Sequence, residues 1–99
     1  MQMKKSVHPG KLIRANLDEL RLSVSAAAKR LRVTRYTLSK VINGTIPISW
    51  KMALRLSKSF GGLPDTWLKM QFNYNLTQIG KLKRSIKLKR YHADDRVGA

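Results

Sequence analysis

The chain of 99 residues has no cysteine and only five acidic side chains. Without thiols there is no disulfide, no cysteine-bound zinc and no thiolate nucleophile. That fits a reducing compartment, and the cytoplasm is the expected location. No stretch approaches the roughly 20 apolar residues that cross a bilayer, so no membrane partner is expected. The opening MQMKKSVHPG carries charge with no apolar run behind it, unlike a secretory signal. The scattered carboxylates offer no paired set of the kind a hydrolase centre uses, and there is no glycine-rich phosphate loop. The two histidines, His8 and His92, cannot make a metal site alone. No catalytic residue, metal or cofactor is therefore expected, and the chain does not read as an enzyme.

What it has in excess is positive charge. Lys and Arg number 21, for a net charge of +16 with histidine neutral. No acid lies between Leu20 and Pro64, where nine basic residues sit, and none lies between Thr66 and Ala93. Self-repulsion of this size works against a folded domain unless a polyanion is at hand. A surface tuned only for solubility mixes both signs. DNA, RNA and an anionic membrane surface are the polyanions such charge can meet, and nucleic acid is the expected one. Hydrophobic residues make up 42% of the chain, enough for a modest core and too many for a disordered protein. The expected organisation is one domain over 1–76 and a basic tail over 77–99.

Within 1–76 the punctuation predicts five helices and no strands, an all-α fold. His8-Pro9-Gly10 opens the first, because proline is favoured where its missing N–H is not needed. Leu12, Ile13, Asn16, Leu17 and Leu20 recur at helical spacing along it. Ser23 caps the second helix, whose Ala26-Ala27-Ala28 run allows a close crossing. Leu31 and Val33 flank the next turn and should plug the core. Arg32 between them stands where a left-handed backbone would suit glycine better. Thr34 caps the third helix, Arg35 to Ile42, with Leu38, Val41 and Ile42 inward, and Asn43-Gly44 ends it. Ser49 caps the fourth, Trp50 to Phe60, with Ala53, Leu56, Ser57 and Phe60 along one side. Gly61-Gly62 stops it, and Pro64 starts a fifth helix expected to end near Leu76. From Thr77 onward Ile79, Leu82 and Ile86 suit a helix, while Ser85 to Lys89 alternates like a strand. Six basic residues crowd Lys81 to Arg90, and no structure is assigned there.

Ser23 to Gly44 has the layout of a helix-turn-helix, in which the first helix braces the DNA backbone and the second enters the major groove. The residues that start the second helix then face base edges. Arg35 can fork onto guanine O6 and N7, and Lys40 can do the same with a single ammonium or drop to a phosphate. Tyr36 can meet a thymine methyl, reach a phosphate, or pack on a neighbouring helix. Ser39 is small enough for close approach and water-mediated reading. Phosphate contacts are expected from Ser25, Thr37, Asn43, Thr45 and Lys51, near helix starts and the turn after the third helix. For Asn43 the alternative is a plain helix cap. On the last helix, Trp67 and Leu68 should close the core. Met70, Phe72 and Leu76 cannot all be buried in so small a chain, so they form the candidate dimer face.

Three stretches together resemble the HigA family of antitoxins within the lambda-repressor-like, XRE-type helix-turn-helix class. They are HPG at 8–10, the helix-turn-helix ending in Asn43-Gly44, and PDTWLKMQFNYNL at 64–76, where Trp67-Leu68, Gln71, Tyr74 and Leu76 hold the family spacing. The resemblance covers about residues 8–76. It implies a five-helix lambda-repressor-like domain and a homodimer bound to a palindromic operator in double-stranded DNA, by which the protein represses its own operon. It also implies a HigB-like partner toxin that cuts mRNA and is neutralised on binding. The chain departs from the pattern at Arg32, in place of a turn glycine, at Leu63, in place of a hydroxyl cap before Pro64, and in its basic tail. The alternatives are a stand-alone helix-turn-helix regulator and a general basic nucleic-acid-binding protein.

Overall fold

Three of the connections between helices are set by hydroxyl caps that act three residues ahead of themselves. Ser23, Thr34 and Ser49 each accept a hydrogen bond from the backbone N–H of Ala26, Thr37 and Met52, at 3.1, 3.0 and 3.1 Å. Each satisfies a donor that the helix start would leave open. The computed structural model describes residues 7–91. It holds α1 (Gly10–Leu20), α2 (Val24–Leu31), α3 (Arg35–Ile42), α4 (Trp50–Phe60) and α5 (Pro64–Leu82), with no strand among the described residues.

The helix ends are as local as the starts. Arg21 and Arg32 take left-handed backbone conformations after α1 and α2, at φ 56° and 57°. Gly44 does so after α3 at φ 77°, while Asn43 stays right-handed at φ −78°. Of that expected pair, glycine alone makes the turn. α5 begins on Pro64 with no side-chain cap from Leu63. It does not stop near Leu76 but continues through Gly80 to Leu82. Residues 86–91 have no regular structure, and His92 lies outside the described residues.

The core gathers Ile13 and Leu17 of α1, Ala27, Ala28 and Leu31 of α2, and Leu38, Val41 and Ile42 of α3. Ile48 of the loop, Met52, Ala53 and Leu56 of α4 and Trp67 of α5 complete it. The small Ala27 and Ala28 let α2 cross close to its neighbours, and Val33, Phe60 and Leu68 pack against the same cluster from its edge. Leu12 and Leu20, expected on the inner face of α1, are exposed. Among the other helices α1 packs chiefly on α3. One seam needs only the Ile13–Leu17 pair, four residues apart on one side of the helix.

The His8-Pro9-Gly10 triplet and the 64–76 stretch meet in space. His8 is buried, its Nδ1 accepts the Gly10 N–H at 3.0 Å, and its ring stands edge-on to Tyr74 of α5, centroids 4.9 Å apart. Gly10 sits so close to the end of α3 that a Cβ there would lie 2.3 Å from the Val41 carbonyl oxygen and 2.5 Å from that of Ile42. Gln71 is buried as well. Its Oε1 accepts the Ile48 N–H at 2.8 Å and its Nε2 donates to Asn75 Oδ1 at 2.9 Å. The start of α1, the end of α3, the loop before α4 and the middle of α5 are thus locked together, and α2–α3 is presented from a fixed frame.

Candidate nucleic-acid interface

The face of α3 opposite Leu38, Val41 and Ile42 is open to solvent at its start. Arg35 and Tyr36 are exposed, and Ser39 and Lys40 are half-buried one turn further on. Tyr36 does not pack on a neighbouring helix. It is 68% exposed, and Lys40 Nζ lies 4.9 Å from its ring centroid. An ammonium over an aromatic face is held by the ring quadrupole with about 0.5–1 kcal/mol at an exposed site. This orients both side chains and is weak enough to exchange for a stronger anion contact. Arg35 has a full guanidinium fork at the first position of the helix, where the docking geometry of such motifs brings side chains to base edges.

Around that helix lie the expected phosphate contacts. Thr34 accepts the Thr37 N–H, and its hydroxyl donates to Thr37 Oγ1 at 2.9 Å, which leaves the Thr37 hydroxyl proton directed elsewhere. Ser25 in the first turn of α2, Asn43 and Thr45 after α3, and Lys51 in the first turn of α4 are all exposed. Helix starts carry unsatisfied N–H groups and a partial positive charge, so polar side chains there suit phosphate. Of the candidate dimer residues, Phe72 and Leu76 are exposed, whereas Met70 packs partly against the core. Beyond them Ile79 and Leu82 are exposed along α5, so the apolar surface is longer than 64–76 suggested.

Three contributions escaped the sequence reading. Trp50 is 66% exposed at the first position of α4, with Lys51 Nζ, one of the expected phosphate contacts, 5.4 Å from its ring. Arg55 Nη1 donates to the carbonyl of Leu31 at 2.9 Å and to that of Arg32 at 3.4 Å, closing the end of α2 from α4. His8 titrates below its usual value of 6.5. Burial disfavours its charged form, and the Ile46 backbone opposes this weakly, without a well-formed hydrogen bond at Nε2. The partners of Arg55, and Tyr74 against the His8 ring, lie more than twenty residues away, beyond any local signal. Among the described residues no group of three or more metal-ligating side chains occurs, and no helix is long and apolar enough to cross a membrane.

No protein-family model matches the chain. Curated proteins do. Virulence-associated protein A′ of Dichelobacter nodosus is 48% identical over 81 residues, covering 81% of this chain and 70% of that protein. The HTH-type transcriptional regulator YddM of Escherichia coli K12 is 30% identical over 90 residues, covering 91% of this chain and 96% of that one. Among solved structures, a HigA-family addiction-module antidote protein from Coxiella burnetii is similar at a TM-score of 0.76 and 29% identity, over 89% of this chain and 100% of that one. The antitoxin HigA of Pseudomonas aeruginosa, solved with the higBA promoter, is similar at 0.74 and 28%, over 89% and 98%.

Proposed function

The chain belongs to the HigA family of helix-turn-helix proteins, and on that footing we infer that it is a homodimeric, sequence-specific DNA-binding repressor acting as the antitoxin of a toxin–antitoxin module. The observation that carries the DNA-binding reading is the pair Arg35–Tyr36, exposed at a capped helix start whose other side is buried in the core. In a major groove Arg35 donates two hydrogen bonds to guanine. Tyr36 and Lys40 exchange their mutual contact for base or phosphate, and Ser39 reads through water. Ser25, Thr37, Asn43, Thr45 and Lys51 hold register on the phosphates, which carry no sequence information. The activity is binding alone, with no bond made or broken, and it is exercised in the cytoplasm on the protein's own operator.

A palindromic operator needs two reading heads about one helical turn apart. The second copy is taken to cover Phe72 and Leu76, with Ile79 extending the same face. DNase I footprinting of the upstream DNA tests the reading. Two protected half-sites of dyad symmetry are expected. Protection without symmetry or sequence boundary would contradict it.

The antitoxin role predicts that a protein from an adjacent reading frame co-purifies with this chain and sharpens the footprint. A second reading, a regulator without a toxin, is favoured by one observation. A chain of net charge +16 would repel a toxin that is itself basic. Failure of every neighbouring product to bind would select that reading and leave the DNA-binding part intact.

A further inference from the structure

A cleft between the end of α2 and the C-terminal half of α4 is lined by Arg30, Leu31, Arg32, Arg55, Lys58 and Ser59. Four of these residues are cations and none is an acid; the flanking acids in the sequence are Glu19 and Asp65. One cation has a local task. Arg55 closes the carbonyls of Leu31 and Arg32 that the helix end leaves open. Arg30, Arg32 and Lys58 are exposed around it, and a single capping guanidinium leaves those carbonyls no need of three more charges.

Arg32 is the telling member. Its backbone is left-handed, at φ 57° and ψ 45°. Glycine takes that conformation freely, and an arginine is strained by it. Arg21 takes the same conformation after α1, and strain persists only where the surroundings hold it; what sets Arg32 apart is its place in the cleft. Here the side chain brings a guanidinium to the mouth of a cleft already bearing Arg30 and Lys58. Arg32 also precedes Thr34, the cap of α3, by two residues, so at most about 7 Å of chain separates their Cα atoms. The cleft therefore borders the end of α3 that carries Arg35.

We propose that this cleft binds a backbone phosphate of the DNA duplex beside the groove that α3 enters, a contact that rests on the DNA-binding reading above. Arg32 and Lys58 hold the phosphate oxygens, Arg30 adds charge, and Arg55 positions the turn. Such a contact adds affinity for every sequence alike and makes that part of the affinity sensitive to salt.

Fluorescence-anisotropy titrations test this with Arg32→Gly, Lys58→Gln and the double variant. Each is titrated on the upstream duplex and on a scrambled duplex, from about 50 to 200 mM salt. The double variant is expected to lose about tenfold in affinity on both duplexes and to flatten the salt slope of log K by about one. Its preference between the duplexes should stay as in the wild type. Arg32→Gly is also expected to melt a few degrees higher than wild type, because it relieves the strained backbone. Weaker binding together with higher stability is an outcome that a merely structural arginine would not give. A folded double variant with wild-type affinity and slope overturns the cleft while a discriminating wild type upholds the operator reading. A wild type that binds neither duplex overturns both.

Discussion

At the scale of single residues, the least substitutable position is Gly10. A methyl group there would overlap two backbone carbonyls at the end of α3, neither of which can swing aside. Gly10→Ala is expected to cost about 3 kcal/mol or more, seen as a fall in melting temperature of more than about 10 °C; a shift of only a degree or two would mean α1 does not approach α3 this closely. His8 makes the same junction sensitive to pH. Its folded pKa lies below the unfolded 6.5, so below that value the unfolded chain binds the proton first. The stability is fully present above pH 6.5 and is lost as pH falls through 6.5 toward the folded value. Protonation at Nδ1 would also end its acceptance of the Gly10 N–H. Thermal melts from pH 7.5 down to pH 5 should show this decline, and His8→Gln should flatten it. Arg35→Ala, by contrast, should leave melting unchanged and reduce operator discrimination by about 10- to 100-fold. Equal weakening on all sequences would reduce Arg35 to a phosphate contact. The HPG triplet was legible as a motif but not as a lock. Its partners, Val41, Ile42 and Tyr74, are more than thirty positions away, and spacing along the chain says nothing of such meetings.

At the scale of elements, what could be read was what is local. A hydroxyl three residues before the N–H it accepts is written in the sequence. Ser23, Thr34 and Ser49 accordingly stand where they were expected, and so do Leu38, Val41 and Ile42 inside α3. Thr34→Ala should cost about 1 kcal/mol in thermal or denaturant unfolding. It should also weaken DNA binding, because the start of α3 frays. The far end of α5 was not legible. Leu76 is followed by no proline, and Gly80 is tolerated mid-helix at about 1 kcal/mol against alanine. The helix therefore runs on to Leu82. The overcount of apolar faces on α1 has the same root. Periodicity marks which residues can be buried together, while the number of neighbouring helices decides how many are. On α5 the surplus is the more instructive. Phe72, Leu76 and Ile79 stay exposed with no helix to cover them. Phe72→Lys should shift sedimentation toward the monomer and reduce operator affinity steeply while leaving the melt little changed.

At the scale of the molecule, the radius of gyration is 18.0 Å, against about 13 Å for a close-packed chain of about 100 residues. The end of α5 and the basic segment after it project from the helix-turn-helix unit. Charge and shape then divide the labour. The residues proposed to read and grip DNA lie on α2, α3, α4 and their turns, and the projecting part carries apolar surface and the six basic residues between Lys81 and Arg90. Removing Lys83 to Ala99 is expected to flatten the salt dependence of DNA binding without changing which sequence is preferred; an unchanged slope would exclude that segment from the contact. A chain of +16 that reads sequence, rather than only gripping a polyanion, must prefer one duplex over another. The most direct test is a salt-titrated gel shift on its own upstream DNA against a scrambled duplex of equal length. A preference above about 10³ that survives physiological salt is the predicted result. Equal binding to both duplexes, collapsing together as salt rises, would contradict it.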